Sequence, residues 1–269
     1  MTVSLEVRQG FQGAYLNIQQ MHFLERGTYP VAWFALATLL LLIGHKFNLQ
    51  IAQRGGLLFA ALALGFSVLI CTLLMNPLFT HERVGTMPII NGLLYVYGIS
   101  AAAAAVLAWL LWNRRTWIDA GLNLNAQVCA WISGISSLLL IFVLVTLEVQ
   151  HMFRGDNLYF GAPPSGNSPG EFATYSLAWA LMGIIYLVVG ILRRSVLLRW
   201  TSLVMMLITI PKVFLFDMPA LQNMQRVLSF AGTGISLMAL AFVYQRFVFR
   251  KPPAPPVPAA PIPDSPPHD

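Results

Sequence analysis

The sequence predicts an all-α fold, a polytopic bundle of transmembrane helices with about seven spans. Hydrophobic residues make up 57% of the 269 residues, and charged residues only 10%. The mean hydropathy is +0.69, well above the range of soluble domains. Apolar stretches near the roughly 20 residues that a membrane-spanning helix needs recur along the chain, with short polar links between them. These observations place most of the chain in a lipid bilayer.

Seven stretches qualify as spans, with boundaries that a sequence defines to within a few residues. They run from Thr28 to Gly44, Gly56 to Asn76, Pro88 to Trp112, Ala126 to Leu147, Phe172 to Leu192, Trp200 to Phe216, and Arg226 to Phe247. Residues 1–27 carry many charged and amide side chains and no signal-peptide core, which predicts an interfacial segment at the outer face. Nine prolines in the eighteen residues 252–269 predict that the end of the chain, 251–269, is a disordered cytoplasmic tail.

The links between spans alternate in charge, and this alternation predicts the orientation. Ten Lys and Arg residues fall on one side of the predicted spans and five on the other, while Lys212 lies within a span. Cytoplasmic loops carry the excess of basic residues, so we expect the amino terminus outside and the carboxyl terminus inside. No basic cluster with interleaved aromatic residues occurs, so the net charge of +6 indicates topology rather than nucleic-acid binding.

Short motifs recur in the same order in the two halves of the chain and predict a parallel internal repeat. The pairs are SLEVRQGFQG at 4–13 with TLEVQHMFRG at 146–155, TYPVAW at 28–33 with TYSLAW at 174–179, Asn76-Pro77 with Met218-Pro219, and GIS at 98–100 with GIS at 234–236. A span precedes the motif only in the second copy. We therefore expect a four-span unit over 126–250 and a three-span unit over 28–125 that lacks the first helix.

Part of the sequence resembles a known family of membrane proteins. The segments TLEVQHMFRG, YSLAWALMGIIYLVVGILRRS and IPKVFLFDMPALQNMQRVLSFAGTGISLMALAFVYQRF are similar to the carboxyl-terminal region of predicted bacterial membrane proteins grouped as domain of unknown function 2339. The resemblance covers residues 126–249 strongly and the first half weakly. It implies a multi-pass protein of the bacterial inner membrane. The expected partners are the lipid bilayer and, if the protein is a scaffold, other envelope proteins. It implies no particular activity.

Ionisable side chains near one depth of the bilayer form the candidate site. Charged groups inside membrane helices are costly and usually face a partner or a water-filled cavity. Lys212 follows Pro211 within a span, and pairing with Glu148 or Asp217 would offset the cost of its burial. Structural pairing and a site for a substrate or ion both fit these residues. The candidate residues are Glu6, Glu148, His151, Arg154, Lys212, Asp217 and Arg226.

Neither a metal nor a cofactor is predicted. His81, Glu82 and Arg83 are adjacent in a loop, and neighbours in sequence seldom point at one ion, so we expect a solvated loop. Cys71 and Cys129 each lie in an apolar stretch, where a free cysteine behaves as a small hydrophobic residue. No nucleophile elbow, phosphate-binding loop or zinc-protease motif occurs in the sequence.

Three functions stay open, and the sequence names no substrate. In the first, a transport or permeation module, Glu148, Lys212, Asp217 and Arg226 line an outward-facing polar cavity. In the second, a membrane enzyme acts on a lipid-linked envelope substrate, with Glu148 or Asp217 as general base and Lys212, Arg226 or Arg154 holding phosphate. The third is an envelope scaffold whose polar cluster is purely structural. We favour the transport-like, non-enzymatic interpretation.

Overall fold

The computed structural model describes residues 6–7, 23–85, 87, 89–113, 126–156, 158–159, 169–213 and 223–247. Within these ranges the chain is mostly helical, and no β-strand runs through them. Five helical segments are long and apolar enough to cross a membrane: Phe23–Lys46, Gln50–Thr80, Leu94–Asn113, Ala126–Arg154 and Gly170–Leu192. A helix is present at all seven predicted spans, and the number that cross the bilayer stays a prediction. The proline-rich tail, 251–269, lies outside the described residues.

Helices α1, Phe23–Lys46, and α2, Gln50–Gly65, form an antiparallel hairpin. The connection is tight: the backbone N–H of Leu49 donates to the carbonyl of Gly44 (2.9 Å), and Asn48 has a φ of 52°. A Cβ on Gly44 would lie 2.9 Å from the backbone nitrogen of Gln53, so only glycine lets the two helices approach this closely. Helix α1 begins at Phe23, five residues before the predicted start of the first span at Thr28. The prediction left the charged residues Glu25 and Arg26 in water, whereas both are buried in the helix.

The helix of the second predicted span continues beyond α2 as a π-helical segment, Phe66–Leu74. The backbone N–H of Met75 donates to the carbonyl of Ile70, and the hydroxyl of Thr72 donates to the carbonyl of Ser67, both five residues back. The side-chain oxygen of Asn76 then accepts from Leu78 N–H and caps a short helix, α3, Pro77–Thr80.

The third predicted span begins later than expected. The side-chain oxygen of Asn91 accepts a hydrogen bond from the N–H of Leu94. A second π-helical segment, Leu94–Ile99, follows and continues into α4, Ser100–Asn113. Ile89 and Ile90 are exposed, and Ile89 has a φ of 71°, so the apolar residues before Asn91 are not helical. Hydrophobicity at 89–90 therefore made the predicted span too long.

Helix α5, Ala126–Arg154, extends past its predicted end at Leu147. Helices α6, Pro169–Leu192, and α7, Val196–Lys212, follow as a second antiparallel hairpin. In its connection the N–H of Ser195 donates to the carbonyl of Gly190 (2.9 Å), and Arg194 has a φ of 50°. These are the same contacts as in the α1–α2 connection, 146 residues earlier.

Large apolar side chains cover the outside of these helices, and small or polar ones lie between them. Leu39, Leu58 and Trp109 are more than half exposed, whereas Ser100 and Ser202 are completely buried. A soluble domain has the opposite arrangement. This distribution fits helices whose outer surface contacts lipid.

Charged side chains of residues 23–213 gather at the two ends of the helices. The end at which α1 and α6 begin and α5 and α7 finish is called the polar end here. The opposite end, with both hairpin connections, is called the basic end. The described charged residues of the polar end are Glu25, Arg26, Glu82, Arg83, Glu148, Arg154, Asp156, Glu171 and Lys212, and those of the basic end are Lys46, Arg54, Arg193, Arg194 and Arg199. Among the described residues, no Asp or Glu lies at the basic end.

Helix α8, Asn223–Phe247, belongs to a second compact unit, Gln222–Asp269. Its exposed side chains include Ile235, Met238 and Phe242. It contains the last predicted span, Arg226 to Phe247.

Candidate functional site

The last two turns of α5 place two predicted site residues against the segment that precedes the third span. One carboxylate oxygen of Glu148, Oε2, accepts a hydrogen bond from the side-chain amide of Asn91 (3.1 Å). The ring nitrogen Nε2 of His151 lies 2.7 Å from the carbonyl oxygen of Gly85. A carbonyl can only accept, so Nε2 must carry the hydrogen. The continuation of α5 beyond Leu147 brings both side chains to this segment.

The other polar atom of each side chain is buried and unsatisfied. Glu148 Oε1 and His151 Nδ1 have no hydrogen-bond partner among the described residues. His151 is only 4% exposed. Buried polar atoms are nearly always hydrogen-bonded, so two open positions on neighbouring side chains of one helix are unusual. Residues three apart on a helix are neighbours on its surface, so Glu148 and His151 are adjacent.

Asp156 fixes the same segment from the end of α5. Its carboxylate Oδ1 accepts from the N–H of Gly85 (2.7 Å), and its carbonyl accepts from the N–H of Val84 (3.4 Å). Gly85 has a φ of 112°, which residues with a side chain rarely adopt. A shallow open depression of about 430 Å³ lies over these contacts, lined by Phe23, Leu24, Arg83, Val84, Gly85, Met87, Ile90, Asn91, Gly92 and Asp156.

Arg154 takes part in a separate buried ion pair. Its Nε and Nη2 both lie 2.9 Å from Oε1 of Glu171, at the start of α6. Its Nη1 donates to the carbonyl of Tyr159, whose ring lies 4.8 Å from the guanidinium carbon. The hydroxyl of Tyr175 also donates to Glu171 (3.4 Å). This network joins the end of α5 to the first turns of α6.

Lys212 lies at the end of α7 against a wall of aromatic rings on α6. Its ammonium donates to the carbonyl of Phe172 (2.9 Å) and to the hydroxyl of Ser176 (2.6 Å). The nitrogen is also 5.7 to 6.0 Å from the ring centres of Phe172, Tyr175 and Trp179, within cation–π range. These contacts are to α6 rather than to Glu148, and Asp217, the other expected partner, lies outside the described residues.

Two buried charges of α1 were missed as site residues. Arg26 forms an ion pair with Glu82 and donates to the carbonyl of Met75 (3.2 Å). Glu25 is completely buried, and its carboxylate accepts from the hydroxyl of Tyr29 (3.1 Å). Glu82, expected in a solvated loop, is a partner of this buried guanidinium. The overlooked signal was the pattern Glu-x-x-Thr-Tyr-x-x-Ala-Trp, which begins at both Glu25 and Glu171.

The predicted cluster thus resolves into separate sets of contacts. Glu148 and His151 share one segment, whereas Arg154 and Lys212 contact α6. Glu6 is exposed, Asp217 lies outside the described residues, and so does the side chain of Arg226 in α8. Among the described residues, no three His, Cys, Asp or Glu side chains are placed to hold a metal ion.

Comparison with known proteins agrees with the helical, lipid-facing structure. No curated protein and no solved structure matches the chain. A family model described as "Predicted membrane protein (DUF2339)" matches residues 1–247, and so covers both halves of the chain. The apolar helices and this match together assign the chain to the DUF2339 family of membrane proteins.

Proposed function

We propose that this protein is a transport-like module of the inner membrane that admits a small polar solute or ion at its polar end. The observation that carries the proposal is the unsatisfied carboxylate oxygen of Glu148, buried between helices that face lipid. Ionisable groups in such places usually mark the path of a substrate or an ion. The neighbouring unsatisfied nitrogen of His151 makes this a site with two open hydrogen-bonding positions.

The charge distribution supports an orientation with the polar end outside. Among the described residues of the unit that contains α1 to α7, the basic end carries five Lys or Arg residues and no acid. Juxtamembrane Lys and Arg favour the cytoplasmic side. Glu148 and His151 then lie near the outer face of the bilayer, and a solute would reach them from outside the cell.

A duplication of one helical unit supports the notion of a transport-like bundle, since many transporters consist of repeated units. The hairpins α1–α2 and α6–α7 share their turn geometry at a constant spacing of 146 residues. At the same spacing Phe66 corresponds to Lys212. Phe66 packs against Tyr29 and Trp33, as Lys212 packs against Tyr175 and Trp179. The proposed copies therefore differ in charge at one matched position.

The enzyme hypothesis has less support because its phosphate-binding groups are already engaged. Arg154 contacts Glu171 and the carbonyl of Tyr159, and Lys212 contacts the carbonyl of Phe172 and the hydroxyl of Ser176. A phosphate would have to displace these partners. The scaffold hypothesis accounts for the Arg154 and Lys212 contacts but leaves the open positions of Glu148 and His151 without a role.

Access of water to Glu148 tests the proposal. In a background with Cys71→Ala and Cys129→Ala, we expect Glu148→Cys to react with a membrane-impermeant thiosulfonate added outside intact cells. His81→Cys, exposed at the polar end, is the positive control. Ile135→Cys, half exposed in the middle of α5, is the lipid-facing control that should stay unreacted.

A folded Glu148→Cys variant that does not react, while His81→Cys does, would overturn the proposal. Asn91→Cys serves as a second reporter if Glu148→Cys fails to accumulate, because the Asn91 side chain contacts Glu148 and lines the depression. If neither cysteine reacts in folded protein while His81→Cys does, the surroundings of Glu148 are closed to water and the site is structural.

A further inference from the structure

We infer that the connection between α6 and α7 binds the phosphate group of an anionic phospholipid in the leaflet at the basic end. This connection and the residues beside it, 192–200, are called the arginine turn here. Its cations are Arg193, Arg194 and Arg199, and exposed apolar side chains lie among them. The arginine turn is at the opposite end of the helices from Glu148, so the inference does not rest on the proposed function.

The arginine turn has three positive charges and no described acid beside it. Arg193 and Arg194 are exposed, and neither has an ion-pair partner among the described residues. The first turn of α7 contains no acidic residue. Basic residues next to a membrane are attracted to anionic headgroups over about one Debye length. The described part of the chain offers these arginines no negative charge, and an anionic headgroup provides it.

The third arginine is held in place by the backbone of the turn. The Nε of Arg199 donates to the carbonyl of Ser195 (3.4 Å). Its Cγ packs so close to Gly190 that a Cβ added there would lie 3.0 Å from it. Arg199 is therefore pre-organised on the same connection as the two exposed arginines, which lowers the entropy cost of binding an anion.

Helix length places the arginine turn at the depth of the lipid headgroups. Helix α6 has 24 residues, which span about 36 Å, whereas the hydrocarbon core of a bilayer is about 30 Å thick. Arg193 and Arg194 come directly after the last residue of α6. Trp200, which is 55% exposed, is of the residue type that is enriched at membrane interfaces.

Exposed apolar side chains distinguish a lipid from a soluble anion as the ligand. Leu192 is 76% exposed and Val196 is 48% exposed, and both lie beside the arginines. A nucleic acid or free phosphate would leave these side chains in water. A phospholipid covers them with its acyl chains while its phosphate contacts the guanidinium groups. An amphiphilic anion therefore matches both parts of this surface.

The α1–α2 connection shows that the fold of such a turn does not require these arginines. Its turn geometry is the same, with a φ of 52° at Asn48 and 50° at Arg194. At the spacing of 146 residues, the counterparts of the three arginines are the uncharged residues Phe47, Asn48 and Gln53. The basic residues of that connection, Lys46 and Arg54, stand at other positions. The three charges of the arginine turn are thus additional to its backbone geometry, and a bound anion gives them a role.

Lipid retention by the purified protein tests the inference. The full chain in mild detergent is titrated with phosphatidylglycerol and phosphatidylcholine of the same acyl chains, and bound lipid is counted by native mass spectrometry. We expect phosphatidylglycerol to be retained in preference. The double variant Arg193→Gln, Arg194→Asn should weaken its binding by about tenfold or more, because two of three charges are lost. Asparagine is used at position 194 because it tolerates a positive φ.

Matched variants separate a bound headgroup from a general effect of charge. Arg193→Gln alone should weaken phosphatidylglycerol binding by about fivefold. Arg83→Gln, the same change at an exposed arginine of the polar end, should leave it unchanged. The charge-conserving double variant Arg193→Lys, Arg194→Lys should restore most of the binding that the uncharged double variant loses.

Equal retention of the two lipids would overturn the inference, and so would unchanged phosphatidylglycerol binding in the uncharged double variant. The arginines would then act in membrane orientation only. Inorganic phosphate is the second probe: if it releases phosphatidylglycerol at constant ionic strength, the turn is a site for a free anion and the lipid assignment is wrong.

A gain of binding keeps the inference testable if the uncharged double variant does not accumulate. Phe47→Arg, Asn48→Arg places the same two residues in the α1–α2 connection, where the turn geometry is matched. We expect this variant to retain more phosphatidylglycerol than the unaltered protein. No increase, in protein with an unaltered thermal midpoint, would overturn the inference.

Discussion

Lys212 illustrates how a single cation is accommodated beside lipid. Its ammonium has two oxygen acceptors and three aromatic rings from α6, so the cost of burial is offset by local contacts. Pro211 lies directly before it and interrupts the backbone hydrogen bonding near the end of α7. The contacts of the Lys212 ammonium therefore stabilise the packing of the end of α7 against the first two turns of α6.

Replacing Lys212 by Met should weaken this attachment. The variant keeps most of the side-chain volume but loses the two hydrogen bonds and the cation–π contacts, which together stabilise by about 1–3 kcal/mol. We expect a lower midpoint of thermal unfolding in detergent. The comparison is Lys46→Met, because Lys46 is exposed at the basic end beside the single ring of Phe47. Equal unfolding midpoints in the two variants would contradict this account.

Glu171→Gln should destabilise the protein more strongly. It leaves the mostly buried guanidinium of Arg154 without its carboxylate, and breaking one side of a buried ion pair costs about 3–5 kcal/mol. The double variant Glu171→Gln, Arg154→Met should recover part of the loss, because no unpaired charge then stays buried. A double variant less stable than Glu171→Gln alone, in chemical unfolding, would show that the pair itself is not the cause.

At the level of residues, the sequence identified the right kinds of side chain but not their partners. Lys212 stood out because it is charged within an apolar stretch. Its partners are a carbonyl, a hydroxyl and ring faces, and such contacts leave no pattern of complementary charge in a sequence. The sequence places Glu25 and Arg26 in an interfacial segment. Their partners are Tyr29 and Glu82, and only the folded chain brings Glu82 to Arg26.

At the level of elements, both hairpins depend on a glycine at the end of the first helix. Gly44 and Gly190 each occupy the point where the second helix begins to pack. At Gly190 a Cβ would lie 3.0 Å from the backbone nitrogen of Arg199, which cannot rotate away as a side chain can. The two connections are therefore constrained by backbone rather than by side-chain packing.

Gly44→Ala should therefore open the α1–α2 hairpin. The added methyl meets the backbone nitrogen of Gln53 at 2.9 Å, and overpacking of this kind costs about 1–3 kcal/mol. Gly65→Ala is the matched control: its Cβ would have no neighbour within 4 Å, and alanine favours the helix by about 0.5–1 kcal/mol. We expect opposite shifts of the thermal midpoint. A stabilised Gly44→Ala protein would contradict the described turn.

Helices were predictable from apolar length, but their ends and irregularities were not. The sequence placed spans over 56–76 and 88–112, and helices occupy most of both. It did not predict the π-helical segments, because a change from i→i+4 to i→i+5 backbone hydrogen bonds requires no change in amino-acid composition. It extended the third span over Ile89 and Ile90 because hydrophobicity alone does not distinguish a helix from an apolar connection.

At the level of the whole molecule, the separation of a polar and a basic end predicts a fixed orientation. In the cysteine-free background, His81→Cys should react with an impermeant reagent on intact cells. Arg194→Cys, exposed in the α6–α7 connection, should react only after the membrane is permeabilised. The reverse pattern would place the polar end in the cytoplasm and remove the proposed route to Glu148.

Membrane location and the helical class followed from composition, because a lipid environment demands apolar helices whatever their arrangement. The match of the family model to residues 1–247 confirms the family and covers the first half of the chain too, where the resemblance was weak. The arrangement of charges within the bundle could not be predicted in the same way. Pairs such as Arg154 with Glu171 depend on which helices are neighbours.

The π-helical segment Phe66–Leu74 bears on how the polar end can move. In this segment a backbone N–H donates to the carbonyl five residues back, whereas in an α-helix it donates to the carbonyl four residues back. A donor there can therefore exchange the first acceptor for the second. One such exchange rotates the following residues by about 100° around the helix axis and moves them by about 1.5 Å along it. Met75, which accepts from Arg26, and Asn76, which caps α3, come directly after the segment. Any such exchange in this segment would therefore rotate and shift the groups that hold Arg26.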